Sequence, residues 1–181
     1  SMFNDEYEEK NQLYAGDISF IGSMYNEKHN LYDRLCGVND YTKGYLDAIM
    51  KVQRSIYGYF FLENMLKGDV LDEMMRVCPV KPNEDGVETV QYVYANYFLA
   101  RRMATDERTD ILSRVGRELG RENKINLYTP DASVRFINVN NKGTVDYYNE
   151  MPYVFRNSRI NLNITLRSIK SGIPLRCMDI C

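Results

Sequence analysis

The sequence predicts an α/β fold, with a small, mostly parallel sheet and a large helical block between its first and second strands. Three observations carry this expectation. Short apolar runs of strand length stand at 17–22, 125–128, 134–137 and 160–164. Between the first two, apolar residues recur at spacings of three and four, the period of helices with one face on a core. Strands then alternate with helices to the C-terminus, as parallel connections require.

The elements follow in order. Residues 1–16 form an acidic lead-in (Asp5, Glu6, Glu8, Glu9) expected to be loose, and 17–181 a single domain. Asp17-Ile18-Ser19-Phe20-Ile21-Gly22 is a buried strand closed by glycine, followed by a polar stretch and a helix around Leu31 to Leu35. Leu46, Ile49, Val52, Ile56 and Phe60 predict one amphipathic helix. Leu71, Met74 and Met75 predict a shorter one that ends before Pro79, with a loop to Gly86. Val90, Val93, Tyr94, Tyr97 and Phe98 mark the next helix, with a break at Thr105-Asp106. Ile111, Leu112, Val115 and Leu119 mark another, ended by Gly120. Ile125 to Tyr128 is the second strand, and Val134, Phe136 and Ile137 suggest a third. Asn140 to Gly143 then reads as a turn, Tyr147 to Phe155 as a helix starting near Asp146, and Ile160 to Ile164 as a strand of period two. Arg167 to Pro174 is a loop, and a helix opens at Leu175. Ser1 reads as a leftover residue before a start methionine, and the stop at Cys181, inside a helical turn, as a C-terminal truncation of a longer polypeptide.

Composition narrows the class. With 23 basic against 25 acidic side chains, the net charge of −2 argues against a dedicated nucleic-acid binder. No apolar stretch is long enough to span a bilayer and no signal peptide opens the chain, so the expected location is cytoplasmic. Cys36, Cys78, Cys177 and Cys181 are therefore expected as free thiols, and the sequon Asn163-Ile164-Thr165 as unglycosylated. Cys177 and Cys181 share a helix face, but the only histidine, His29, is far away in sequence, so neither a metal site nor a histidine base is expected.

The residues give several candidates. Arg101, Arg102, Arg108, Arg114, Arg117 and Arg121 could form a basic stripe, yet Asp110 and Glu118 flank Arg114 at i,i+4 spacing, the pattern of a solvated helix face. The fifteen tyrosines read as core or interface residues rather than stacking platforms. Gly22-Ser23 ends the first strand, where backbone amides and a nearby helix N-terminus can approach a phosphate. Arg176 and Asp179 open the last helix after a strand end and polar loop. They could neutralise a diphosphate and bind ribose hydroxyls, or Asp179 could simply complement a positive helix start beside a surface arginine.

The run from Tyr147 to Asp179, with Asn161-Leu162-Asn163-Ile164-Thr165-Leu166-Arg167-Ser168 and Gly172-Ile173-Pro174-Leu175-Arg176-Cys177-Met178-Asp179 within it, resembles bacterial spore-maturation-type glycosyltransferases of GT-B fold. Ile18-Ser19-Phe20-Ile21-Gly22-Ser23-Met24-Tyr25-Asn26-Glu27 is similar to the same family's opening strand and loop. The resemblance implies an incomplete Rossmann-like unit, one half of a GT-B protein, that binds a nucleotide-sugar linked to UDP or GDP without a metal or other cofactor. Gly22 and Ser23 would then lie nearest the donor phosphates, and Asn163 and Thr165 at the strand end facing the cleft. Arg176 would support the diphosphate, and Asp179 would meet the donor ribose.

The family continues past this carboxylate with a glycine-rich turn and another strand, and its acceptor half carries the general base of inverting members. A positioned base contributes about 10²–10⁴-fold, so the isolated chain is expected to bind a hexosyl donor without turning it over. The helical block is longer than the single helix of a minimal unit. A different class stands beside this reading: a non-catalytic interaction module, whose exposed apolar surface a partner or second copy would cover.

Overall fold

Four short runs of residues pair into one sheet in the computed structural model, which describes residues 2–26, 30–82, 86–170 and 172–181. His29, the motif residue Glu27 and part of the predicted loop at 79–86 lie outside the described residues. The strands are β1 (Gly16–Ile21), β2 (Ile125–Tyr128), β3 (Val139–Asn141) and β4 (Ser158–Leu162). They lie in the order β3-β2-β1-β4, and every neighbouring pair is parallel. The predicted α/β class, with a small parallel sheet and a helical block between its first and second strands, is the observed one.

The chain divides into two compact units. The first comprises Ser1–Met24, Arg108–Ile164 and Ile173–Cys181 and holds the whole sheet. All four residues of β2 are buried, as expected for a central parallel strand covered on both faces. Register places Asn140, Asn126, Ser19 and Asn161 side by side, so a polar row crosses the four strands. Phe20, Met24, Leu112 and Leu127 form one apolar cluster, and Tyr14, Tyr128 and Val154 another.

The acidic lead-in expected to be loose is a helix, α1 (Met2–Tyr14). Aromatic and amide contacts anchor it to the helix α7 (Met151–Arg156). Tyr7 meets the Tyr153 ring edge-on at 5.9 Å, and Asn157, just beyond α7, donates to Asn11 at 2.9 Å.

In β3 the prediction is displaced. Phe136 makes only a bridge to Val139, and the strand falls on the asparagines read as a turn. Asn141 can serve there because its side-chain amide binds the carbonyls of Asp131 (2.9 Å) and Val134 (3.1 Å), while the strand pairs with β2. The helix α7 also starts later than expected. The Asp146 carboxylate accepts the N–H groups of Tyr148 and Asn149, which closes a turn before the helix.

The second unit comprises Tyr25–Glu107 and Thr165–Gly172. After a 3₁₀ turn (Leu31–Leu35) come α2 (Asp40–Ser55), α3 (Leu62–Met65), α4 (Gly68–Val77) and α5 (Val90–Val93). A π-helical segment (Tyr94–Leu99) then leads into α6 (Ala100–Leu119). The core gathers Leu46, Leu62, Leu66, Met74, Tyr94 and Met103.

Two predictions change here. The inner face of α2 is Thr42, Leu46, Ile49, Met50 and Gln53, whereas Val52 is 52% exposed and the helix ends before Ile56. Gln53 takes the inward position because its amide satisfies the loop that follows, donating to Tyr59 O (2.8 Å) and accepting from Phe61 N–H (2.8 Å). The break expected at Thr105-Asp106 is absent. Thr105 returns its hydroxyl to Arg101 O at 3.2 Å, and α6 runs through it.

Candidate functional site

The strand order fixes where a ligand site belongs in the sheet unit. From β1 the chain steps outward to β2 and then β3, and β4 is added on the opposite side of β1. The order therefore reverses between β1 and β4, and crevices at such switch points, beyond the carboxyl ends of the strands, are where open α/β sheets bind ligands. Gly22-Ser23 follows β1 and Asn163-Ile164 follows β4, with Phe20 and Leu162 in register behind them.

One side chain ties these two strand ends together. Arg108, on α6, is only 8% exposed. Its Nε and Nη2 donate to the carbonyl of Ile164 at 3.2 and 2.8 Å, and its Nη1 donates to the carbonyl of Ser23. The guanidinium also lies over the Phe20 ring, 5.3 Å from its centroid. At Gly22 the backbone N–H reaches Tyr128 O at 3.0 Å, and a Cβ there would press on the Phe20 ring at 3.2 Å. Ordered arginine and bare glycine thus define this edge of the sheet.

Arg108 is a correction to the solvated-face reading of the arginines. Arg114 fits that reading, paired with Glu118 at 3.1 Å, but Arg108 faces inward. The signal lay in the spacing Ala104, Arg108, Leu112, whose outer two members are core residues.

The remaining candidates gather on α8 (Leu175–Ile180). Asn163 donates to the Cys177 thiol, which ties the end of β4 to this helix. Arg176 packs against the Met151 sulfur and the Phe155 ring and pairs with Asp179 at 3.5 Å. Asp179 also accepts from the Tyr147 hydroxyl at 2.7 Å, and that bond to a carboxylate pushes the phenol pKa up. Ser23, Arg108 and Ile164, then Asn163 and Cys177, then Arg176 and Asp179, therefore form a continuous series of contacts and chain neighbours. Thr165 belongs to the second unit.

Two sequence readings are corrected. Among the described residues, the first helical element after β1 is the 3₁₀ turn at Leu31–Leu35, not an α-helix. Asp179 sits in the last turn of a six-residue helix, so it does not complement a positive helix start. Its charge is balanced by Arg176 instead, and the Tyr147 hydroxyl donates to it.

In the second unit a small open cleft is lined by Gln53, Tyr59, Phe60, Arg167 and Lys170 among others. Arg167 pairs with Glu107 at 2.7 Å and stacks 3.6 Å from the centroid of Tyr57, and Lys170 pairs with Glu63 at 3.1 Å. Among the described residues no group of three histidine, cysteine or acidic side chains can hold a metal ion, and all four cysteines are free thiols. No described helix is long and apolar enough to cross a membrane. No family model, curated protein or solved structure matches the chain.

Proposed function

We propose that this chain is the donor-binding part of a cytoplasmic glycosyltransferase and takes a UDP- or GDP-linked sugar at the β1/β4 switch point. The observation that carries the reading is the strand order, which brings Gly22-Ser23 and Asn163 to neighbouring carboxyl ends at the reversal. The resemblance of the Ile18–Glu27 and Tyr147–Asp179 runs to spore-maturation-type glycosyltransferases supplies the substrate class. Arg176 would face the diphosphate as its charge develops on leaving the sugar, and Asp179 would accept ribose hydroxyls. Since the two pair with each other, donor binding exchanges part of that ion pair for contacts to the ligand.

A thermal-shift screen against UDP, GDP and their sugars tests this. A ligand at 100 times its dissociation constant adds about 2.7 kcal/mol of stability. A rise selective for one base, lost in Arg176→Ala and Asp179→Ala, is expected. No rise with any of them, or variants that bind as the parent does, would remove the proposal.

A second reading, a self-associating or partner-binding module, is favoured by one observation. Ile173, Leu175 and Met178 are 72%, 82% and 66% exposed on and just before α8. Light scattering coupled to size-exclusion chromatography decides it; a monomer at high concentration counts against it.

A further inference from the structure

We infer that Arg108 is a positioning residue of the switch-point crevice, holding the loops after β1 and β4 in the geometry that accepts a nucleotide diphosphate. The inference rests on the donor-binding reading of that crevice. The carboxyl edge of a parallel sheet presents carbonyl oxygens, and those at Ser23 and Ile164 flank the place a diphosphate would occupy. Left alone, both carbonyl dipoles would turn negative ends toward an anion. Arg108 engages both, two donors to Ile164 and one to Ser23, and so turns these oxygens to a fixed donor. The planar fork of a guanidinium can serve two acceptors at fixed angles, which a lysine ammonium on a flexible stem does not reproduce. Phe20 beneath the guanidinium holds its plane, and Gly22, with no side chain, leaves room beside it. The binding group proper would be Arg176, while Arg108 acts through the two loops.

The test is calorimetric titration of UDP and of GDP into three proteins: the parent chain, Arg108→Lys and Ile125→Ala. Ile125 is buried at the start of β2, at the opposite end of the sheet, and serves as a control for general destabilisation. All titrations are run well below each protein's melting midpoint. The parent should bind one nucleotide, Arg108→Lys should bind it about tenfold more weakly, a loss of about 1.4 kcal/mol, and Ile125→Ala should melt earlier yet bind as the parent does. If Arg108→Lys does not fold at the assay temperature, Arg108→Gln, which keeps a donor for one carbonyl, replaces it with the same expectation. Binding by the arginine variant equal to the parent's overturns the positioning role and leaves the donor-site reading standing. Equal weakening by Ile125→Ala overturns it too, because loss of stability would then suffice. A parent that binds neither nucleotide removes both the site and this role for Arg108.

Discussion

The Ser19 hydroxyl donates to Oδ1 of Asn161 at 2.6 Å, joining the central strand to its neighbour across the switch point. Asn161 in turn donates to Phe155 O at 3.0 Å, so the bond links β1, β4 and the end of α7. Removing the hydroxyl leaves a part-buried amide oxygen without its donor. Ser19→Ala should therefore cost about 1–3 kcal/mol in urea unfolding. A loss too small to move the midpoint would show that the polar row is not under this constraint.

Acid stability should depend on Glu73. Its carboxylate accepts from the Arg76 guanidinium at 2.7 and 2.8 Å and from Asn39 N–H at 2.9 Å, and these bonds hold its pKa at about 2 instead of the ordinary 4.5. A carboxyl with a lowered folded pKa stabilises the fold above its unfolded value, and the contribution fades as pH falls from 4.5 toward 2. Glu73→Gln should flatten the stability profile in that window and leave its shape near neutrality unchanged. Unfolding midpoints measured across the window in both proteins would settle the matter, and parallel profiles would refute it.

At the alkaline end the relevant group is Tyr14. Burial, and then its 2.7 Å bond to Glu150, push its pKa up to about 12. A raised phenol pKa favours the folded state below 10 and withdraws that stability as pH climbs toward 12. Tyr14→Phe should remove one late-titrating phenol from the ultraviolet absorbance titration and loosen α1, seen as faster amide exchange in its residues. Unchanged exchange would mean that Tyr7 and Asn11 hold the helix alone.

In the second unit, Glu107 and Arg167 form an ion pair whose side chains are 8% and 15% exposed. Glu107→Ala strands the guanidinium and should cost about 3–5 kcal/mol, while replacing both partners with apolar residues of similar volume should cost much less. If the double replacement is as damaging as the single one, the pair acts through packing on Tyr57 and not through charge.

The parts of the fold visible in the sequence are those where apolar residues carry the signal. Ile125-Asn126-Leu127-Tyr128 is buried on both faces, and Leu112 marks the inner side of α6. The parts that escape are built from polar side chains whose role depends on distant partners. Val139-Asn140-Asn141 looks like a turn until β2 pairs with it, and Gln53 looks like a surface residue until its loop closes over it. α1 is held by tyrosines spread among acidic residues, a pattern without a clear apolar face. Arg108 escaped for the same reason: a charge reads as solvent-facing unless the carbonyls that bury it are known. Gly22 was legible as a strand end, because glycine marks where a strand stops, whereas the period-two pattern placed Asn163 inside a strand that ends at Leu162.

At Gly116 and Gly120, α6 comes so close to the Ile137-Asn138 backbone that a Cβ at 116 would overlap the Ile137 carbonyl oxygen, and one at 120 would overlap the Asn138 side chain. Asn138 itself occupies left-handed backbone (φ 57°) and returns its amide to Gly116 O at 3.2 Å. Neither partner can yield without pulling β3 from the sheet's edge. The freedom of this sequence to vary is therefore uneven along a single helix: Ile111 and Leu119 face solvent and can drift, while two glycines between and beside them cannot accept even one methyl group.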